Sequence, residues 1–245
     1  MPSRLAEAPR GRECAGLAVL HEDARILVVD KPPGLLSQPG VRVHDSVSVR
    51  VAAARPEAER VALVHRLDMD TSGVLLLAKD AEAHRVLGRQ FERREVAKRY
   101  RALLERAPTA AAGIVSLALR SDVEDRPRQV VDPVRGRPSI TRWYRVGGPG
   151  RGRAGGAGRD GTEVVLLPLT GRSHQLRVHA ADARGLGIAI RGDRLYGGPD
   201  GARADASDAP GRLCLHAERL AFFHPDGGRR CEVLAPVPFG VEAAL

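Results

Sequence analysis

Apolar residues in this chain come in short runs separated by polar, turn-forming clusters, and the spacing within each run indicates what it builds. Ile26-Leu27-Val28-Val29 is a β-branched stretch closed by Lys31-Pro32-Pro33-Gly34, a strand followed by a strong turn signal. Val74-Leu75-Leu76-Leu77 is apolar without interruption, the pattern of a buried strand. Residues 98–105 read as extended, with Tyr100, Ala102 and Leu104 on one side. Residues 140–146 and 163–167 are also strand-like, and 213–234 reads as a hairpin turning at Asp226-Gly227-Gly228. Helical spacing is confined to three segments. Residues 81–96 set Ala83, Val86, Leu87 and Phe91 on one face, with Asp80 placed to cap the N-terminus. The Ala- and Val-rich segment 45–59 predicts a helix ending near Arg55-Pro56, and residues 174–184 predict another. Strands dominate and no β-α-β rhythm or fixed-period repeat is present. The expectation is an α+β fold, a single domain on a mixed, mainly antiparallel sheet with flanking helices.

That domain is expected to span residues 21–240. Residues 1–20 mix Pro, Arg, Ala and Glu without periodicity and read as a mobile tail or a loose wrap. The low-complexity run 147–161, rich in Gly and Arg, lies between two strand-like segments and reads as a flexible hairpin loop, with an arginine-glycine tongue that grasps a polyanion as the sharper alternative. A polar insert, Pro199 to Gly211, precedes the last hairpin.

Composition narrows the class. The 245 residues carry a net charge of +9 and a pI of about 10.4, which favours a polyanionic partner, nucleic acid first. Part of that excess is solvated arginine in a chain also rich in Ala and Gly. The three cysteines, Cys14, Cys214 and Cys231, are odd in number and scattered, which speaks for reduced thiols against a disulfide framework or a zinc site. No apolar stretch approaches the roughly 18–20 residues of a membrane span, and the first residues have no apolar signal-peptide core, so the expected location is cytoplasmic.

The chemistry concentrates in residues 64–73, Val-His-Arg-Leu-Asp-Met-Asp-Thr-Ser-Gly. Asp68 lies between a basic pair, His65 and Arg66, and a small polar turn that abuts a buried strand. A charged loop against a rigid strand is a usual mount for a reacting group. Read alone, Asp68 followed by Thr71 and Ser72 serves equally well as an Asx-type cap. A two-carboxylate glycosidase has little support, because only Asp70 is near and nothing else in the stretch favours the pair. A kinase catalytic loop has Asp and Leu in the other order, and no phosphate-binding glycine loop appears. His174 and His179 stand five apart, a poor spacing for a metal pair on a helix, and read as structural.

His65 to Gly73 resembles the second motif of the pseudouridine synthases of the bacterial RluA type. Glu22 to Leu36, with Lys31-Pro32-x-Gly34, resembles the first. Lys98-Arg99-Tyr100 is similar to the Lys-x-Tyr segment, Pro168 to His179 to the third motif, and Gly192-Asp193-x-x-Tyr196-Gly197 and Leu215-His216-Ala217-x-x-Leu220 to the closing ones. Order and spacing agree from about residue 20 to residue 238. Ala189, where the family usually has Pro, is a local departure. The resemblance implies an isomerase that converts uridine to pseudouridine in RNA, with Asp68 as the catalytic aspartate, Arg177 as its guanidinium partner and Tyr100 stacked on the target base. It places Arg66 to fill the gap left by the flipped base, and it groups His65, Arg172 and Lys98 with Arg66 as RNA contacts, although a histidine beside a strand is more often structural. It implies no cofactor, no metal, no DNA, no membrane and a monomeric enzyme. The middle segment, Asp125 to Gln129 with Gly136 to Thr141, resembles members that act on both 23S ribosomal RNA and the anticodon stem-loop of tRNA. The alternative is an RNA-binding or ribosome-assembly protein that keeps the fold without turnover.

Overall fold

The computed structural model describes residues 3–5, 11–55, 61–146, 161–197 and 211–239. The Gly/Arg-rich run 147–160 and most of the second polar insert, 198–210, lie outside the described residues. The fold is α+β, built on mixed, mainly antiparallel sheet with three helices, as the strand-rich pattern predicts. It divides into two compact units: residues 1–98 with 216–237, and residues 99–215 with 238–245.

The first unit is organised around β4 (Ile26–Lys31) and β6 (Ser72–Ala78), which pair antiparallel from Ile26 opposite Ala78 to Lys31 opposite Gly73. Every residue of β6 is buried. β3 (Leu17–Glu22) pairs with β4 and with β2 (Glu13–Cys14), while β5 (Ala62–Leu63) lies on the far end of β6. β12 (Leu215–Phe223) runs parallel to β6, and β13 (Arg230–Leu234) completes the predicted hairpin. β1 (Ser3–Arg4) adds a short parallel pairing to β13. Ile26 and Val28, Val74 and Leu76, Leu220 and Phe222 put alternate residues of three strands into one core. Ala83 and Leu87 of helix α2 (Ala81–Glu92) cover it. Leu27, Val29, Leu75 and Leu77, the alternate set, are equally buried, which is why these strands read as unbroken apolar runs.

Caps and turns set the helix ends. Asp80 accepts the N–H of Ala83 at 2.8 Å, as predicted. α2 stops at Glu92 rather than Val96, because Arg94 takes a left-handed conformation (φ 60°) that ends the helical hydrogen bonding. Ser46 caps α1 (Val47–Ala54), and Arg55 closes it. The tail expected over residues 1–20 requires correction. Cys14, Leu17 and Val19 are buried, and β2 and β3 form a hairpin turned by Ala15 and Gly16, both at positive φ. Its short apolar alternation is easily lost among charged neighbours.

The second unit is an antiparallel series: β7 (Ala97–Leu104), β11 (Thr162–Pro168), β10 (Arg137–Arg145), β8 (Ala112–Ser121) and β9 (Gln129–Val131). Helix α3 (Gln175–Ala181) packs on β8, β9 and β10 and is buried from Gln175 to Ala180. All three cysteines are buried free thiols. Among the described residues no helix is long and apolar enough to cross a membrane.

Candidate functional site

Asp68, Arg66, His65 and Lys98 belong to the first unit, and Tyr100, Arg172 and Arg177 to the second. Each unit holds its candidates by a different device.

Asp68 lies in the turn between β5 and β6, and its neighbours are tied down by their main chains. Leu67 donates its N–H to Ser37 Oγ at 3.0 Å, and the same hydroxyl donates to the Leu67 carbonyl at 2.7 Å. The carbonyl of Met69 accepts the Lys31 ammonium at 2.8 Å and the N–H of Gly34 at 2.9 Å. Lys31 is wholly buried, and its ammonium also donates to the carbonyls of Leu35 (2.7 Å) and Pro32 (2.8 Å). Three N–H groups thus meet three carbonyls, which help to solvate the buried charge. The Lys-Pro-x-Gly segment is therefore the foundation of the Asp68 turn. In the sequence Lys31 is one residue of a motif, and nothing local to it signals this role.

The Asx-type cap that the sequence left open is not what forms. The N–H of Thr71 bonds the main-chain carbonyl of Asp68 at 3.1 Å, and no donor among the described residues of this unit bonds its carboxylate. Among the described residues the half-buried acid group makes no hydrogen bond in its own unit. Downstream, Gly73 (φ 112°) is required by packing. Any Cβ there would lie 2.3 Å from the carbonyl oxygen of Ala217 on the parallel strand β12, and Ser72 Oγ meets Nδ1 of the buried His216 at 2.9 Å.

Arg66 is exposed, as an RNA contact requires. His65, grouped with the RNA contacts by the resemblance, takes a scaffold position. Its Nε2 accepts the N–H of Leu76 at 3.1 Å and its ring stacks on Phe91 with centroids 4.7 Å apart. Burial, with the Lys98 charge second, pushes its pKa down to about 3, so the ring is neutral. Lys98 is half-buried, and desolvation lowers its pKa, helped by Arg94.

In the second unit Tyr100 stands half-buried on β7 opposite Leu166 of β11, sharing its face with buried Ala102 and Leu104. Its neighbour Arg101 turns to the other face and bonds Glu163 at 2.8 Å. Arg172 lies over β10, with Nε 3.3 Å from the Pro138 carbonyl. Gln175 shapes this loop: its carbonyl oxygen accepts from Thr170 Oγ1 (2.8 Å) and the N–H of Arg172 (3.0 Å), while its amide donates to Ile140 O and Thr141 Oγ1.

Arg177 is buried, and it carries a partner the sequence did not assign. Nε donates to Asp193 Oδ2 at 2.8 Å and Nη2 to Oδ1 at 2.6 Å, a bidentate fork. The Gly-Asp-x-x-Tyr string marks only the Asx turn that presents Asp193, whose side chain accepts the N–H groups two and three residues on. His179 is structural, as expected. The Ser139 hydroxyl donates to Leu117 O, so Nε2 of His179 donates to Ser139 at 2.7 Å, and burial pushes its pKa down to about 4.

The comparisons with known proteins decide the family. A family model described as RNA pseudouridylate synthase matches residues 25–182, a span that contains Asp68, Tyr100 and Arg177. The chain belongs to the RNA pseudouridylate synthase family. Its relatives include the dual-specificity RNA pseudouridine synthase RluA of Escherichia coli K12, 44% identical over 225 residues, covering 91% of this chain and 94% of that one. The RluA of Pasteurella multocida is 42% identical over 211 residues, covering 85% and 88%. Among solved structures, human RNA pseudouridylate synthase domain containing 1 superposes with a TM-score of 0.70 at 28% identity, covering 95% of this chain and 88% of that one. This pseudouridylate synthase is an isomerase that acts on uridine in RNA.

Proposed function

We propose that the enzyme modifies uridines of both ribosomal RNA and the tRNA anticodon stem-loop, with Asp68 as its catalytic carboxylate. The target assignment is supported by 44% identity across nearly the whole length of a relative named for dual specificity. The catalytic assignment is supported by one structural observation above the others: the Asp68 turn is pinned on both sides through main-chain groups, while among the described residues of its unit the carboxylate is spent on no bond.

The chemistry needs such a group. Isomerisation breaks the N1–C1′ bond, turns the uracil, joins C5 to C1′, and moves a proton from C5 to leave N1 protonated. Atoms and electrons balance within the nucleotide and no oxidant or group carrier enters. An ionised carboxylate supports the ribose while the base is detached. The base must leave its stack first. We assign Arg66, exposed two residues before Asp68, to the RNA side of that step, Tyr100 to stacking on the uracil, and Arg177 to electrostatic support of the reacting centre. Arg172 and Lys98 are assigned to RNA contacts.

The test uses transcribed tRNA and 23S ribosomal RNA carrying tritium at uridine C5. Wild-type protein should release tritium to water, and Asp68→Asn should release none while still retaining labelled RNA on a filter. Normal release by Asp68→Asn would remove the carboxylate from the mechanism. Mapping pseudouridines in RNA from cells lacking the protein names the target positions, and loss confined to one RNA class would refute dual specificity.

A further inference from the structure

We propose that Asp193 and Tyr196 are positioning residues for Arg177, forming a clamp that sets the plane and direction of its guanidinium for the reaction. This rests on the assignment of Arg177 to the reaction made above, and it adds two residues outside the span matched by the family model.

The clamp has two parts. Asp193 is almost wholly buried and grips Arg177 from the edge through Nε and Nη2. Tyr196 grips it from the face, with the guanidinium carbon 5.2 Å from the ring centroid. Edge and face together remove both rotations left to a guanidinium at the end of its side chain.

The grip is itself anchored. Asp193 Oδ1 accepts the N–H groups of Leu195 (3.0 Å) and Tyr196 (3.1 Å), so the carboxylate and the ring are parts of one turn. Gly192 (φ 75°) lets that turn close, since a Cβ there would lie 2.0 Å from the carbonyl oxygen of Arg212. The Tyr196 hydroxyl accepts the N–H of Gln129 on β9 at 2.8 Å and lies 2.8 Å from His174 Nδ1. His174 sits at the start of α3 in a left-handed conformation (φ 52°) that a non-glycine residue adopts only when its surroundings impose it. The hydroxyl therefore joins the sheet edge to the start of the helix that bears Arg177. A second guanidinium, that of Arg128, lies 5.5 Å from the same ring. An arginine needed only for packing would not require its plane defined from two directions. A group that must meet charge developing at a fixed point does.

The test separates rate from binding and from folding. Tyr196→Phe keeps the ring under Arg177 and loses the hydroxyl, Tyr196→Leu loses both, and Asp193→Asn loses the charged edge. Each is assayed for single-turnover tritium release at saturating enzyme, for Kd toward the same tRNA transcript, and for thermal unfolding by circular dichroism. Misplacing a reacting group by about 1 Å lowers rate on the order of 100-fold, which is the expectation for Tyr196→Leu and Asp193→Asn, with Tyr196→Phe intermediate and Kd within about threefold throughout. Wild-type single-turnover rate in folded Tyr196→Leu, or a loss carried by Kd instead of rate, would overturn the clamp. Should Asp193→Asn fail to fold, the Phe and Leu pair decides alone. Failure of the underlying assignment looks different: Arg177→Lys would then turn over normally, whatever the Tyr196 variants do.

Discussion

The Asp68 turn and the Arg177 helix hold charged groups in opposite ways. The described anchoring bonds around Asp68 go to the main chain, and the buried cation that organises it, Lys31, donates to three carbonyls. Arg177 is held through its own charged head, chelated by Asp193. The difference is consistent with the roles proposed for the two groups. A carboxylate that must act on substrate loses that capacity if it is spent on a structural ion pair, so its support has to come from neighbours. A guanidinium that only presents N–H groups and positive charge has donors on several edges and can surrender two of them to a clamp.

The sharpest way to break this contrast is to remove each head and read rate and stability separately. Asp68→Asn should lower turnover on the order of ten-thousand-fold, the scale seen when a reacting group is lost and binding remains. Its unfolding free energy should stay within about 0.5 kcal/mol of wild type, because the carboxylate bonds none of the described residues of its unit. Arg177→Ala should lower both, with a stability loss of about 3–5 kcal/mol from the stranded buried Asp193. Urea unfolding beside tritium release decides it, and a large stability loss in Asp68→Asn would erase the contrast. Lys31→Met comes next. It takes the ammonium from three carbonyls, of which that of Met69 keeps the N–H of Gly34, and should cost about 3 kcal/mol, with activity falling among the molecules that remain folded.

How much of this was legible in the sequence depends on whether the signal is local. β4 and β6 announced themselves as unbroken apolar runs because both faces are buried. Asp80 was readable as a cap because a cap acts three residues away. β8 and β9 were not readable: they are mostly exposed or half-buried, so alternation is weak and their pairing partners decide their conformation. The candidate site shows the same division. Asp68, Tyr100 and Arg177 stood out through family motifs, whereas Lys31 looked like a turn charge until β4 and the Asp68 turn closed around it. Nothing in a one-dimensional string says that the carboxylate sixteen positions after Arg177 is the one it meets.

A finer probe of the first region is Ser37→Ala, which strands both the N–H and the carbonyl of buried Leu67. The expected loss is about 1–2 kcal/mol. If the turn matters to catalysis only through its placement, turnover should fall while Kd for RNA stays put. Unchanged turnover alongside the stability loss would show that the Asp68 turn tolerates slack.

The smallest effect compares the units through one neutral histidine in each. His65 and His179 are held neutral by burial, with pKa values pushed down to about 3 and about 4. Unfolding returns each ring to water, where its pKa is about 6.5, so the unfolded chain binds protons that the folded one refuses. Stability therefore falls as pH drops through the unfolded value and continues to fall until the folded pKa is reached. At pH 6.5 the unfolded ring is half protonated, which is worth about 0.4 kcal/mol per histidine relative to pH 8 and does not depend on how far the folded value is depressed. Urea midpoints at pH 8 and pH 6.5 measure it. His65→Gln and His179→Gln should each reduce that difference by one histidine's share, because the amide can supply the acceptor that Leu76 uses or the donor that Ser139 receives without titrating. A variant whose midpoint still shifts as far as wild type would show that its histidine was already charged in the folded protein, and for His65 that would restore the exposed, RNA-facing role that stacking on Phe91 denies it.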